Sequence, residues 1–240
     1  MATYACGDLH GFMEIYKKIK SMLKPEDKVI FLGDAGDRGP ESWECIKAIY
    51  EDPQFIYLKG NHEDMLVRAA KDYLKYGMWV RNSSRLCERN GGYEAMRDWE
   101  KESDKEEWIK KLDSLPTSYR YESKDFKFLL THAGLTPWLD DDGEIDMPWD
   151  YDLMWDRDHY FTSWIPEQVE DIIIVHGHTP IHYLAEDLRK YWDHGAFWYS
   201  DNHKVCLDSG GYFYGEWVLL NLDTLEDVVI ELDGNDQMCF

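Results

Sequence analysis

The sequence predicts an α/β fold formed by a single domain. Over the first sixty residues, apolar runs of strand length alternate with segments whose apolar residues recur at helical spacing. A mostly helical stretch follows, and the C-terminal part returns to short strands. Strands separated by helices of this length are typical of βαβ units with parallel pairing. The chain has 240 residues, which is enough to bury one sizeable hydrophobic core.

Three strands and two helices are predicted near the N-terminus. The strands cover Thr3–Cys6, Lys28–Leu32 and Gln54–Leu58. Between them, apolar residues recur at helical spacing from Phe12 to Leu23 and from Trp43 to Tyr50.

A mostly helical insertion is predicted beside the sheet over residues 64–124. Apolar residues recur at helical spacing from Met65 to Leu74 and from Trp108 to Leu115. The turn sequence Asn90-Gly91-Gly92 separates these two stretches. Phe126–Leu130 then returns to strand.

The C-terminal half contains one long segment with little periodicity. Leu135–Pro166 is rich in Asp, Trp and Pro, and we interpret it as an ordered loop of a length that is usually functional. Two roles are equally compatible with the four tryptophans of this segment, which either line the rim of a pocket or pack in the core: Trp138, Trp149, Trp155 and Trp164.

Four further strands are predicted after this loop, the first at Asp171–Val175. Val205–Leu207, Trp217–Leu222 and Val228–Leu232 alternate between apolar and polar residues, and we expect them to pair antiparallel and close a second sheet. The turn Asp208-Ser209-Gly210-Gly211 is interpreted as structural.

The charge and the cysteines narrow the class of protein. A formal net charge of −22 repels polyanions, so we expect neither nucleic acid nor an anionic membrane as a partner. The five cysteines contain no CxxC pair, which favours a reducing compartment over a disulfide framework. We expect neither a secretory signal nor a membrane span, and therefore predict a cytoplasmic protein. Nothing in the sequence indicates an oligomeric state.

Five short polar motifs each begin where an apolar strand ends. They are Gly7-Asp8-Leu9-His10-Gly11, Gly33-Asp34-Ala35-Gly36-Asp37-Arg38-Gly39, Gly60-Asn61-His62-Glu63, His132-Ala133-Gly134 and Gly177-His178-Thr179. Because ligands bind outside the carboxyl ends of strands in open α/β sheets, these motifs are expected to converge.

The side chains of the motifs predict a metal centre. Asp, His and Asn offer oxygen and imidazole ligands without thiolate, a set that suits Mn, Fe, Zn or Co. The candidate ligands are too many for one ion and fit a pair of ions about 3.5–4 Å apart: Asp8, His10, Asp34, Asn61, His132 and His178.

In this order, the motifs resemble the signature of the calcineurin-like metallophosphoesterases. More narrowly, they resemble the branch with the phosphoprotein phosphatases, the small phage and bacterial Ser/Thr phosphatases and symmetrical diadenosine tetraphosphate hydrolase. All five motifs in order are far more specific than any one alone. The resemblance implies a four-layer α/β/β/α sandwich with the metals at one edge.

The resemblance also implies how the metals are held. The ligands would be Asp8 and His10 for the first ion, Asn61, His132 and His178 for the second, and Asp34 as the bridge. Two divalent ions are therefore expected, manganese before iron or zinc. A hydroxide that bridges them would attack phosphorus in line.

The same resemblance implies the remaining catalytic roles. His62 would protonate the leaving oxygen while Asp37 orients its ring. Arg38 would bind phosphoryl oxygens with its planar fork, Asn61 would lie beside the same phosphate, and Arg157 on the long loop would be a further phosphate-binding residue. His176 is interpreted as a packing or supporting residue, not as a ligand.

Two positions depart from the pattern of the relatives. Gly36 stands where many have Val, which is expected to loosen the turn without removing a ligand. Lys59 stands where many have Arg, which keeps the charge but loses bidentate geometry and could re-aim the phosphate clamp.

The predicted function is hydrolysis of phosphomonoesters, with phosphorylated protein of the Ser/Thr type as the first substrate and a small phosphoester as another. The segment with Asn90-Gly91-Gly92 and Leu115-Pro116 is similar to the bacterial and phage branch. The alternative within enzymes is symmetrical cleavage of bis(5'-nucleosyl) tetraphosphates by the same metals. The non-enzyme alternative is a catalytically silent scaffold, which would be expected to lack several of the motif residues.

Overall fold

The computed structural model describes residues 1–136, 138–139, 145–146, 149–161, 170–183, 192 and 194–232. Within this part of the chain, two five-stranded sheets pack face to face and most helices lie on the outer side of one of them. Among the described helices, none is both long enough and apolar enough to cross a bilayer.

The first sheet combines N-terminal and C-terminal strands. Its strands are β1 (Thr3–Cys6), β2 (Lys28–Phe31), β3 (Phe55–Tyr57), β11 (Glu216–Asn221) and β12 (Asp227–Glu231). The order is β12-β11-β1-β2-β3. β1, β2 and β3 are parallel, whereas β11 runs antiparallel to both β1 and β12.

The second sheet takes its strands from the middle of the chain. They are β4 (Ser118–Glu122), β5 (Lys127–Thr131), β8 (Ile173–His176), β9 (Phe197–Tyr199) and β10 (Lys204–Cys206). In the order β4-β5-β8-β10-β9, the three central strands are parallel and the two edge strands antiparallel. A separate antiparallel pair joins β6 (Trp138–Leu139) to β7 (Ile145–Asp146).

Six helices cover the outer side of the first sheet. They are α1 (Met13–Met22), α2 (Ser42–Glu51), α3 (Asn61–Tyr76), α4 (Arg81–Arg89), α5 (Tyr93–Glu100) and α6 (Lys105–Asp113). Their apolar faces form one cluster with the outer residues of the sheet, in which Trp43 meets Trp108 edge-on with ring centroids 5.5 Å apart. Burying side chains of this size stabilises the fold by about 1.5–3 kcal/mol each.

The period of two along β2 explains the two cores. Val29 and Phe31 face the helices, while Ile30 faces the second sheet together with Leu32, just beyond the strand. The inter-sheet core continues through residues of both sheets, such as Leu130 and Leu220. The arrangement confirms the predicted α/β fold with two packed sheets.

The outer face of the second sheet is covered by shorter elements. α7 (Asp152–Trp155) places Leu153 in a cluster with Leu129 and Ile174 from the sheet. This helix lies within the stretch predicted to be a long loop.

Two predictions about the strands were wrong. β11 and β12 pair antiparallel as expected but extend the first sheet, and β10 pairs in parallel with β8. The range predicted to be mostly helical ends with the strand Ser118–Glu122. Alternation of apolar and polar residues indicates that a segment is a strand, but it does not specify the edge with which that strand pairs.

Candidate active site

All five motifs meet at one edge of the fold. They follow the carboxyl ends of β1, β2, β3, β5 and β8, as sites do in α/β sheets. The predicted ligands and catalytic residues brought together there are at most 7% exposed: Asp8, His10, Asp34, Asp37, Asn61, His62, His132 and His178.

Asp34 lies at the centre of the cluster. Its Oδ2 is 3.4 Å from His132 Nε2, 3.7 Å from His62 Nε2 and 4.0 Å from His10 Nε2. Two groups of candidate ligand atoms share this carboxylate, one with His10 and His62 and one with His132 and His178. The geometry therefore suits a pair of cations with one common carboxylate.

The hydrogen bond at Nδ1 of His132 leaves the lone pair of its Nε2 available to a cation. Its Nδ1 donates to Leu32 O at 3.0 Å, so its Nε2 carries a lone pair. That lone pair faces Asn61 Oδ1 at 2.8 Å as well as Asp34 Oδ2. Burial lowers the pKa of His132 to about 3, which keeps the ring neutral. Three atoms that can bind a cation thus converge: His132 Nε2, Asn61 Oδ1 and Asp34 Oδ2.

Two further buried atoms fit the same interpretation. Among the described residues, neither Asp8 Oδ1 nor His178 Nε2 has a hydrogen-bond partner, and buried polar atoms are normally satisfied. Asp8 Oδ2 accepts a hydrogen bond from His178 N at 3.0 Å, and His178 Nδ1 lies 2.8 Å from Asn61 Oδ1. The side chains present at this edge therefore fit divalent metal ions.

Arg38 contacts both histidines on the other side of Asp34. Its guanidinium donates to His10 Nε2 at 2.7 Å and to His62 Nε2 at 3.1 Å. His62 Nδ1 donates to Asp37 Oδ2 at 2.6 Å. Burial, with the charge of Arg38, lowers the pKa of His62 to about 3, and burial raises that of Asp37 to about 8. The neutral His62 ring is thus held by a partner at each nitrogen.

The loops that carry these residues are conformationally constrained. Left-handed backbone, uncommon outside glycine, occurs at five of them: His10, Asp34, Asp37, Arg38 and His178, with φ between 48° and 69°. Such conformations persist only when the surrounding structure enforces them, and they concentrate at functional sites.

Glu63 enforces the conformation of the Asp34 loop. Its carboxylate is 1% exposed and accepts hydrogen bonds from Asp34 N, Ala35 N, Gly60 N and Tyr57 Oη at 2.7–2.9 Å. It joins the turns after β2 and β3. The sequence placed Glu63 inside a motif but gave it no role.

The two departures from the relatives have structural reasons. A Cβ on Gly36 would lie 2.6 Å from Ile46 Cδ1, so this turn is packed against α2 and is not loosened as expected. Gly36 O also accepts the hydrogen bond of His10 Nδ1 at 3.1 Å. Lys59 donates to Asp113 O at 2.7 Å, so its ammonium caps the end of α6.

The loop between α4 and α5 supports Arg38. Gly91 O accepts from Arg38 N at 3.0 Å, and a Cβ on Gly91 would lie 2.9 Å from that nitrogen. Gly91 has φ +92°, which favours glycine as well. The helical insertion thereby reaches the site.

A pocket of about 360 Å³ opens beside His178. Arg38, Arg157 and Asn90 line it, together with the aromatic rings of Tyr183 and Phe213. Arg157 is exposed, and its Nη1 donates to Thr179 Oγ1 at 3.2 Å. Both predicted phosphate-binding arginines therefore face one pocket.

None of the described tryptophan side chains of the long segment lines this pocket. Trp155 donates to Asp64 Oδ2 at 3.1 Å, and Trp149 is 71% exposed. Trp164 and the side chain of Trp138 lie outside the described part of the chain.

Asp208, in the turn that the sequence analysis interpreted as structural, lies at the site. It is buried beside Asp8, and burial together with this neighbouring carboxylate raises the pKa of Asp8. Asp208 follows β10 as the other motifs follow their strands, and this placement was the available signal. His176, in contrast, bonds through Nε2 to Tyr199 Oη at 2.7 Å and packs against His159, which matches its predicted supporting role.

Curated relatives of this chain include dinucleoside tetraphosphatases. The chain is 24% identical over 248 aligned residues to bis(5'-nucleosyl)-tetraphosphatase PrpE [asymmetrical] of Bacillus thuringiensis, covering 93% of this chain and 92% of the relative. It is 30% identical over 142 residues to a symmetrical bis(5'-nucleosyl)-tetraphosphatase of Actinobacillus pleuropneumoniae, covering 57% of this chain and 46% of the relative.

Solved structures of low identity share the fold. A crystal structure provisionally named a diadenosine tetraphosphatase has a TM-score of 0.63 at 16% identity, covering 97% of this chain and 94% of that one. A serine/threonine phosphatase of Saccharomyces cerevisiae, similar to human PP5, has a TM-score of 0.58 at 15% identity, covering 99% and 82%. The family model described as calcineurin-like phosphoesterase matches residues 1–217. The chain therefore belongs to the calcineurin-like phosphoesterase family of metal-dependent enzymes that hydrolyse phosphoesters.

Proposed function

We propose that this enzyme hydrolyses dinucleoside polyphosphates at a centre of two divalent metal ions. The observation that carries the two-metal part is the position of Asp34 Oδ2, which lies within 4.0 Å of the imidazoles of His132, His62 and His10. Metal ligands are assigned as in the family pattern: Asp8 and His10 on one side, Asn61, His132 and His178 on the other, and Asp34 between them.

The metal ions, when bound, supply an activated water and neutralise charge on the phosphoryl group. Manganese is the first ion to test, with iron and zinc next. The protein's own residues bind and orient the substrate. Arg38 and Arg157 bind phosphoryl oxygens across the pocket, with Asn61 beside the reacting phosphate.

His62 moves the proton. Its Nε2 faces the site, and its Nδ1 is fixed by Asp37 at 2.6 Å, which sets the tautomer and the direction of the ring. Because the ring proton lies on Nδ1, Nε2 first takes up the proton that the attacking water releases and then passes it to the leaving oxygen, a contribution typically worth about 10²–10⁴ in rate.

Two observations support a dinucleoside polyphosphate as substrate. A relative that matches 93% of the chain is named a bis(5'-nucleosyl)-tetraphosphatase. The pocket places two guanidinium groups near His178, which suits a chain of several phosphates better than one phosphate. The products identify the bond attacked, because symmetrical cleavage of diadenosine tetraphosphate gives two ADP and asymmetrical cleavage gives ATP and AMP.

A phosphoprotein of the Ser/Thr type is the second candidate. Arg157 and Phe213 at the pocket mouth are exposed, so a phosphorylated side chain on a protein surface can reach the site.

The test starts from chelated protein and adds Mn²⁺, Mg²⁺ or Zn²⁺ with diadenosine tetraphosphate, a phosphoserine peptide or p-nitrophenyl phosphate. We expect Mn²⁺-dependent cleavage of the dinucleotide, abolished in Asp34→Asn. Asp125→Asn is the matched control, since Asp125 is exposed in the turn between β4 and β5, at the opposite end of the sheet. Cleavage of the peptide alone would favour the second candidate. Folded protein that cleaves none of the three with any ion would refute the metal centre.

A further inference from the structure

Two exposed aromatic rings stand at the mouth of the pocket. Tyr183 ends the 3-10 turn Ile181–Tyr183, a few residues after His178, and is 67% exposed. Phe213 lies in α8 (Gly211–Tyr214) and is 42% exposed. Their centroids are 6.3 Å apart with ring planes at 84°. Both rings line the same pocket as Arg38 and Arg157.

The backbone holds the two rings in place. Ile181 N donates to Asp208 O at 3.0 Å, which ties the turn of Tyr183 to the loop just before α8. A Cβ on Gly211 would lie 2.2 Å from the Trp217 ring, so α8 is packed tightly on the fold. Backbone segments that are already fixed lose little further conformational entropy when a ligand binds.

The ring beside Phe213 links the aromatic rim to the phosphate site. Tyr212 meets Phe213 edge-on with centroids 4.9 Å apart, and the Arg38 guanidinium lies 5.7 Å from the Tyr212 ring centre. A planar ligand group that contacts these rings therefore lies next to Arg38, which is assigned to bind the phosphate.

We propose that Tyr183 and Phe213 form a stacking platform for one nucleobase of the substrate. The inference rests on the proposed hydrolysis of dinucleoside polyphosphates and deepens it by naming residues that select a nucleoside. In the perpendicular pair, the base stacks on the face of one ring and meets the edge of the other. The phosphate chain then extends towards Arg38 and Arg157.

The size of the pocket suits one nucleoside. A volume of about 360 Å³ lies near the lower end of the range for small-molecule sites, roughly 300–1,000 Å³. One nucleoside with its phosphates fills it, and the second nucleoside extends towards solvent.

Because the chain has a large negative net charge, stacking on an uncharged ring is an important source of affinity for this substrate. At −22, the protein repels a polyphosphate at long range. Stacking on an uncharged ring is insensitive to that field and is worth about 5- to 150-fold in affinity per base.

Calorimetric titration of the Mn²⁺-loaded protein with AMP and with inorganic phosphate tests the platform without relying on turnover. We expect AMP to bind about 5- to 150-fold more tightly than phosphate. The ratio is expected to fall towards one in Tyr183→Leu and in Phe213→Leu, while Tyr183→Phe retains it. Tyr76→Leu is the control, because Tyr76 is 55% exposed at the end of α3.

The outcomes separate this proposal from the proposed function. Equal affinities for AMP and phosphate in the unchanged protein, or the same ratio in both Leu variants, would overturn the platform even if diadenosine tetraphosphate is cleaved. A ratio that depends on Tyr183 and Phe213 would support the platform even if the dinucleotide is not cleaved, in which case the proposed reaction fails.

Discussion

Glu63→Gln is expected to destabilise the fold although it changes one atom of the side chain. Oε2 of Glu63 accepts from Asp34 N and Gly60 N, and Oε1 accepts from Ala35 N and Tyr57 Oη. A glutamine oxygen can serve one of these pairs, and its NH₂ group must then face the other. The better choice leaves Ala35 N–H without an acceptor, because the tyrosine hydroxyl can accept instead of donating.

The magnitude follows from these contacts. Two hydrogen bonds lose their charge assistance, at about 1 kcal/mol each, and one buried N–H loses its partner, at about 1–3 kcal/mol. We therefore expect the free energy of unfolding to fall by about 3–5 kcal/mol, a large share of the roughly 5–15 kcal/mol of a typical domain.

Urea unfolding of the chelated protein, followed by tryptophan fluorescence, measures this change. Tyr57→Phe removes one of the four donors and should cost about 1 kcal/mol. Glu107→Gln is the matched control, since Glu107 is 65% exposed in an ion pair with Lys111 and should change stability by less than about 0.5 kcal/mol. A loss below about 1 kcal/mol in Glu63→Gln would show that the carboxylate does not hold the two turns together.

Three further predictions concern single residues. His62→Asn should slow hydrolysis of alkyl esters by about 10²–10⁴ and of nitrophenyl esters much less, because a good leaving group needs little protonation; equal losses in kcat would contradict the proton-donor role. Gly36→Val should lower the free energy of unfolding by about 1–3 kcal/mol through its clash with Ile46, and Ile46→Ala should recover part of that loss in the double variant, as thermal unfolding would reveal. Lys59→Met should lower the free energy of unfolding in urea by about 1–2 kcal/mol, because Asp113 O loses its hydrogen bond. The KM for a phosphoester should change by less than about twofold, and a large rise in KM would place Lys59 in the phosphate site.

The candidate metal site could be predicted because its signals are local. Each motif is a polar turn directly after an apolar strand, and the carboxyl ends of parallel strands share an edge whatever the order of the strands. Asp34 and His132 therefore meet although 98 residues separate them in the numbering. Asp208 was assigned only a structural role because its signal is not local. Its turn also follows a strand, but Asp208 reaches the site only because β10 runs parallel to β8. The alternation of apolar and polar residues in a short strand does not predict the direction in which that strand pairs.

The residues that we propose to select the substrate are brought together by packing between distant segments, and the sequence indicates them least. Tyr183 lies in a 3-10 turn and Phe213 in the short helix α8, and nothing in either segment predicts that Ile181 N bonds to Asp208 O and brings the rings together. Lys59 illustrates the same limit, because only the position of α6 shows that its ammonium donates to Asp113 O. The strand-end motifs thus indicate the family from the sequence alone, whereas the rings that we propose to bind a nucleobase meet only through the packing of the surrounding segments. Variants of Tyr183 and Phe213, more than variants of the ligands, should therefore distinguish the two substrates.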